Sequence, residues 1–381
     1  MKIFKYIPLI ILMTCNNPLL AMKALQKKQA AIATKQEKKA TATLKKLRKG
    51  QPQGGSGIKI FGSDKNPISL ELEKSAKGGW YPTTNALTNL LNTYEPLKDY
   101  MPGIPEVMVE KSTGKGVRND ALFVAYRNAN QTAESGFVKG KPLFFLKISR
   151  ADLQGIPKKL EELQKGPVGR FGLKAMSNRE LPIIVLQEMF FIYRGQDNKN
   201  HTIEVMHIAH GKQLSAIIDS HDQNDQQWAE KVGKALGLFH LEFMKYNNSS
   251  SPMDWKTMTH GDFHLGNVFF DEKTSRVYFI DNVGMSIENP FEDLKFLIDL
   301  TIHGFSDWNK DSRTVNFVLY FIKGYLSAYP LDKRKSVVTD LKEELNFNQN
   351  YQWAANRPEK QVFIGKFIDK LNAVFTQASK Q

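Results

Sequence analysis

Apolar and polar positions alternate most sharply between residues 260 and 281. Val268-Phe269-Phe270 is an apolar run, Asp271-Glu272-Lys273-Thr274-Ser275 a polar turn, and Arg276-Val277-Tyr278-Phe279-Ile280 a second run. This pattern predicts two short strands joined by a turn. Residues 69–73, 106–110, 121–126, 142–149 and 201–208 read as further strands. Trp228, Val232, Ala235, Leu236, Phe239 and Phe243 recur at helical spacing, which predicts an amphipathic helix over residues 225–245 with His240 beside its buried face. Residues 85–91, 291–297, 317–326 and 362–375 suit helices as well. A helix is also expected over residues 178–190, with Pro182 in its first turn and Ile184, Leu186 and Met189 facing inward. The polar stretch 337–357 reads as a surface helix or a substrate lid.

The predicted hairpin gathers a distinctive set of side chains. His260-Gly261-Asp262-Phe263-His264-Leu265-Gly266-Asn267 precedes its first strand, and Asp281 ends its second. Asp262, Asn267 and Asp281 therefore meet at one end. A carboxylate there can orient a hydroxyl and take its proton, while an amide oxygen and a second carboxylate can hold magnesium against nucleotide phosphates. The arrangement suits phosphoryl transfer.

The run HGDFHLGN, followed by an apolar strand ending in Phe279-Ile280-Asp281, resembles the catalytic and metal-binding loops of the aminoglycoside phosphotransferase and choline kinase group, within the protein-kinase-like fold. The resemblance spans roughly residues 107–299 and implies an α+β, two-lobed architecture with a small β-rich N-lobe and a larger, mostly helical C-lobe. It implies Asp262 as the catalytic carboxylate, Asn267 and Asp281 as magnesium ligands, and ATP as the nucleotide. His264 is grouped with the catalytic residues in a loop-supporting role, and His260 is expected to brace the loop. Asp293 matches an aspartate that anchors the catalytic loop, and an acidic residue also suits a helix N-terminus. Asn282-Val283-Gly284 departs from the Trp or Phe-Gly often found after the metal-binding aspartate.

Upstream, a strand-turn-strand contains Ser112, Thr113, Gly114 and Gly116, whose backbone N–H groups can cradle phosphates. The turn is not a Walker motif. Lys147 interrupts an apolar strand, where a charge is costly without a partner. The resemblance implies that it contacts the alpha and beta phosphates; the plainer alternative is an edge-strand lysine reaching solvent. Its carboxylate partner is expected on a following helix, and Glu180 is preferred over the charged run at residues 158–163, with Glu188 behind it. Backbone groups from Met206 to Ile208 are expected to meet the adenine edge where the chain crosses between lobes. His207 and His210 suit hinge and turn positions.

Composition places the charge at one end. Residues 22–50 carry nine lysines and Arg48 against Glu37, and Lys2 and Lys5 add two charges, so of the net +14 only about three belong to the rest of the chain. The body thus gives no case for nucleic acid. The sole cysteine, Cys15, excludes an internal disulfide framework and a thiolate metal site.

Residues 1–21 read as a secretory signal, with Lys2 and Lys5 ahead of the apolar stretch 7–13 and Leu19-Leu20-Ala21 as the cleavage site. Lipid attachment at Cys15 and an unprocessed hydrophobic N-terminus are the alternatives. Residues 22–57 form a basic helical arm and flexible linker, suited to solvent or to an acidic partner or membrane surface. The N-lobe, with an N-terminal extension, is expected over residues 58–210 and the C-lobe over residues 211–381.

The chain is therefore expected to be a magnesium- and ATP-dependent phosphotransferase acting on a hydroxyl acceptor: a small molecule, a lipid head group or a protein. An export signal would make it a secreted effector that works after delivery into another cell. A kinase-fold nucleotidyltransferase and a pseudokinase binding module are the rival expectations.

Overall fold

The computed structural model describes residues 58–74, 80–101, 105–112, 121–129, 138–149, 162, 167–219, 225–244, 254–304, 312–344 and 358–378. All belong to the compact unit that begins at Gly54. The expected signal (1–21), the basic arm and linker (22–57), and Thr113, Gly114 and Gly116 lie outside the described residues.

The first half is built on strands. β1 (Lys59–Phe61), β2 (Leu72–Lys74) and β3 (Trp80–Pro82) lead to helices α1 (Thr84–Thr93) and α2 (Glu95–Tyr100). β4 (Val107–Lys111), β5 (Ala121–Asn128), β6 (Lys139–Ser149), helix α3 (Pro167–Ser177), β7 (Ile183–Ile184), β8 (Gln187–Arg194) and β9 (Asn200–His207) follow. A six-stranded sheet has the order β1-β8-β9-β6-β5-β4, antiparallel except for the parallel β1–β8 pair.

The period of two sorts the faces of this sheet. Phe144, Leu146 and Ile148 of β6 and Ile203 and Val205 of β9 join the N-terminal core with Leu87, Leu90 and Leu91 of α1. Phe145, Lys147, Glu204 and Met206 occupy the opposite face. Helix α1 also covers the edge strand. Asn92 bonds both backbone groups of Val107 at 2.8 and 2.9 Å, and Thr88 Oγ1 accepts from Val109 N at 3.0 Å. An edge that would otherwise offer unpaired backbone groups is closed in this way.

The second half is mostly helical. It comprises β10 (Lys212–Gln213), α4 (Leu214–Asp219), α5 (Asp225–Phe243), β11 (Thr257–Thr259), β12 (Val268–Asp271), β13 (Arg276–Phe279) and β14 (Ser286–Glu288). Helices α6 (Phe291–Gly304), α7 (Ser312–Ser327), α8 (Leu331–Glu344) and α9 (Pro358–Ala378) complete it. Trp228, Val232, Leu236 and Phe239 of α5 pack with Phe317, Phe321, Ile322 and Tyr325 of α7 in one large core. The two helices touch backbone to backbone: a Cβ added to Gly233 would lie 1.9 Å from Phe321 O, and one added to Gly324 would lie 2.0 Å from Glu230 O.

The architecture is the bilobal α+β arrangement of the protein-kinase-like fold. Two local expectations need correction. Residues 178–190 form a turn, β7 and the start of β8, not a helix. The β-branched run Ile183-Ile184-Val185 and the aromatic run that follows favour strands, and Pro182 sits just before a strand, where its missing N–H costs nothing. Residues 337–344 belong to α8, and Val337, Val338 and Leu341 are core residues, so this part is neither a lid nor a surface helix. Among the described residues no helix is long and apolar enough to cross a membrane.

Candidate active site

The hairpin forms as its pattern demands. β12 and β13 pair from Val268↔Phe279 to Asp271↔Arg276, and Asp271 shapes the turn by accepting from Lys273 N at 3.0 Å and Thr274 Oγ1 at 2.6 Å. Ile280 N donates to Asn267 O at 3.0 Å, extending the ladder by one step. Asn267 and Asp281 thereby sit at the same end. β11 and β14 pair antiparallel, joining the start of the His260 loop to the exit of the Asp281 loop.

The loop from His260 to Asn267 is fixed from below. Asp293, fully buried on α6, accepts from His260 N at 2.8 Å, Gly261 N at 2.9 Å and His240 Nε2 at 3.0 Å. Burial pushes its pKa up, but the bond and charge of His240, with help from His260, outweigh burial and hold it below the ordinary Asp value. His240 Nδ1 lies 3.0 Å from Tyr325 OH, and the hydroxyls of Tyr325 and Tyr329 are 2.7 Å apart. Gly261 adopts φ +77°, and a Cβ there would meet Gly284 O at 2.2 Å, so only glycine fits.

His260 ties the two loops together. Its Nε2 bonds Ile280 O at 2.8 Å, which makes Nδ1 the acceptor for Asp262 N at 3.4 Å. His264 Nδ1 accepts from Gly266 N at 3.0 Å, while its Nε2 lies 3.9 Å from Asp262 Oδ2, beyond hydrogen-bond reach. Its geometry is that of a loop support. Asn267 Nδ2 donates to Asp262 O at 2.9 Å and Asp262 Oδ2 at 3.2 Å, leaving the amide oxygen uncommitted among the described residues.

Asp281 is a non-glycine residue in the left-handed region, at φ 60°, ψ 51°. Such a conformation costs on the order of 1 kcal/mol and persists only where surroundings enforce it. Asn282, fully buried, supplies one constraint by donating from Nδ2 to Val185 O at 2.6 Å. Lys147 supplies another: its Nζ lies 2.7 and 2.8 Å from the two oxygens of Asp281. The chain thus uses Asn282 as a polar latch where the resembled pattern has an aromatic residue.

The other expected nucleotide contacts divide. Met206 packs with Val185 and Tyr278 in an apolar cluster joined by Phe145, Ala209, Phe269 and Ile280, next to Asp281 in sequence. Ile208 lies one residue past β9 and is partly buried. Ser112 closes the β4–β5 pair, its N–H donating to Leu122 O at 2.7 Å.

Glu180 is not brought to Lys147. It lies in the turn after α3 and pairs with Lys234 at 2.7 Å on the surface, while Glu188 pairs with His207 at 2.8 Å. The helix that was to carry Glu180 inward does not exist. The carboxylate near Lys147 on the same sheet face is Glu204, its register partner on β9, only 2% exposed. Desolvation raises its pKa against the opposing pull of Lys147, and the charge of Asp281 adds to the rise. Its signal in the sequence was the same as for Lys147, a charge inside an apolar strand.

The donor set fits magnesium. The carboxylate of Asp281 and the uncommitted Oδ1 of Asn267 are hard oxygen ligands, which this ion prefers. Among the described residues no three His, Cys, Asp or Glu side chains cluster to hold a metal by themselves. An ion held by two side chains would take its remaining ligands from phosphates and water.

Residues 176–318 match the family described as "EcKL: Ecdysteroid kinase-like family". No curated protein is significantly similar to the chain. Among solved structures, it is similar to "Amicoumacin kinase hAmiN in complex with AMP-PNP, Ca2+ and Ami", at 12% identity, over 77% of this chain and 96% of that one, with a TM-score of 0.34. It is also similar to "WaaP in complex with acyl carrier protein", at 12% identity, over 80% of this chain and 99% of that one, with a TM-score of 0.31. The family match contains Asp262, Asn267, Asp281 and Asp293, and Lys147 lies outside it. The chain has the protein-kinase-like fold, and the segment bearing the loop from His260 to Asn267 is similar to a family of kinase-like proteins.

Proposed function

We propose that the chain is a magnesium- and ATP-dependent phosphotransferase that phosphorylates a hydroxyl acceptor. The observation that carries this is the convergence of Asp262, Asn267, Asp281 and Lys147 from three separated segments. Asn267 holds Asp262 through Oδ2, and Oδ1 has no hydrogen bond among the described residues. That oxygen can accept the proton of a hydroxyl as its oxygen attacks the gamma phosphorus and the bond to the beta-phosphate oxygen breaks. Magnesium, when bound by Asn267 and Asp281, supplies positive charge that offsets the phosphate oxygens. Lys147 adds a second positive charge from β6, and the apolar cluster at Met206 offers a surface for the base.

The motif around Asp262 supports the aminoglycoside phosphotransferase and choline kinase group as the nearest chemistry. A small alcohol, a lipid head group and a protein hydroxyl are the acceptor classes. The charge and hydropathy of residues 1–21 support export, which would make the chain a secreted effector acting where ATP is available.

The test uses the full chain with gamma-labelled ATP, magnesium and separate pools of small alcohols, lipids and proteins. Label entering one pool, and lost in Asp281→Ala, supports phosphotransfer and gives the acceptor class. Label from alpha-labelled ATP alone would replace this reading with nucleotidyl transfer.

A further inference from the structure

Lys147 and Glu204 face each other across β6 and β9. Residues directly opposite in an antiparallel pair project from the same face, with Cβ atoms about 4.5–5.5 Å apart. Glu204 is almost wholly buried, and its one hydrogen bond among the described residues is from Gln187 Nε2 at 3.3 Å. Its register partner on the other side, Phe190 of β8, carries no charge. A buried carboxylate with one long amide bond is poorly compensated. Lys147 is the cation on the adjoining strand of that face, and here it lies on Asp281.

With both oxygens of Asp281 on the ammonium, a divalent cation at that carboxylate competes with Lys147 for its lone pairs and repels its charge. We propose that Glu204 is a positioning residue for Lys147: it receives the ammonium when Asp281 is committed to the metal, and so keeps it aimed at the nucleotide phosphates. The strand-borne Glu204 would thereby fill the role expected of a helix-borne carboxylate. Glu204 does not touch the reacting atoms. This inference rests on the metal-nucleotide reading of the site.

The test measures binding of AMP-PNP to the full chain, with and without magnesium, for wild type, Glu204→Gln, Lys147→Ala and the double variant. Glu204→Gln should weaken magnesium–AMP-PNP binding by about tenfold or more, the scale of one charge-assisted bond. Metal-free AMP-PNP binding should stay within about twofold. The double variant should bind no worse than Lys147→Ala. Equal weakening with and without magnesium, or additive losses in the double variant, would mark Glu204 as merely structural and overturn the proposal. If thermal unfolding shows Glu204→Gln to be misfolded, Glu204→Asp takes its place, with the same magnesium-specific loss expected and wild-type binding overturning the proposal. Wild-type chain that fails to bind magnesium–AMP-PNP would remove the metal-nucleotide reading itself. Wild-type binding that Glu204→Gln leaves unchanged would remove only the Glu204 assignment.

Discussion

Replacing Asp293 by Asn probes the clamp beneath the loop from His260 to Asn267. The carboxylate accepts three hydrogen bonds, two from backbone N–H groups on opposite oxygens and one from His240. An amide has only one acceptor oxygen, so in its better orientation at least one N–H loses its partner and faces an NH2 group. Losing one charge-assisted bond costs about 2 kcal/mol, and turning two others into neutral bonds costs about 0.5–1 kcal/mol each, or about 3–4 kcal/mol in total. Because the site is fully buried, solvent does not screen this loss. Urea unfolding, followed through Trp228 and Trp255 in the C-terminal core, measures it. The pH dependence gives a second check. Asp293 has its pKa lowered on folding, so its stabilisation is complete above the ordinary Asp value of 3.8 and is lost as pH falls through the lower, folded value. The gap between wild type and Asp293→Asn should therefore narrow in that acidic window. A variant within about 0.5 kcal/mol of wild type at neutral pH, the range of ordinary surface substitutions, would refute the clamp.

Asp262→Asn should lower kcat by about 10²–10⁴-fold with little effect on thermal stability, since it removes the proton acceptor and keeps the shape; steady-state kinetics and a melting curve check both. Glu180→Gln should leave activity at the wild-type level and change stability by no more than about 1 kcal/mol, because its partner is Lys234 at the surface. Gly233→Ala should unfold the C-terminal lobe at lower denaturant, by about 3 kcal/mol or more, because the new Cβ would meet Phe321 O. Circular dichroism during urea titration measures that shift.

Much of this geometry was legible because it is local. The β12–β13 hairpin, the carboxylates at its end and the strand around Lys147 each follow from periodicity over fewer than ten positions. α5 was equally plain, since its apolar stripe is regular. The failures were non-local. Residues 183–186 satisfy a helical spacing as well as a strand's, and the decision falls to pairing with β13, nearly a hundred residues away. The same error placed Glu180 beside Lys147. Glu204 was passed over because the register that sets it opposite Lys147 exists only once β6 and β9 align. The helical pattern sets His240 beside a buried face, but its bond to Asp293 depends on α5 and α6 meeting in the core.

The most direct measurement is the mass of the product formed from ATP, magnesium and the acceptor pool that takes label. The expected product is an acceptor heavier by one phosphoryl group, formed by wild type and absent with Asp262→Asn and Asp281→Ala. A nucleotidyl adduct, or equal product from wild type and both variants, would contradict it.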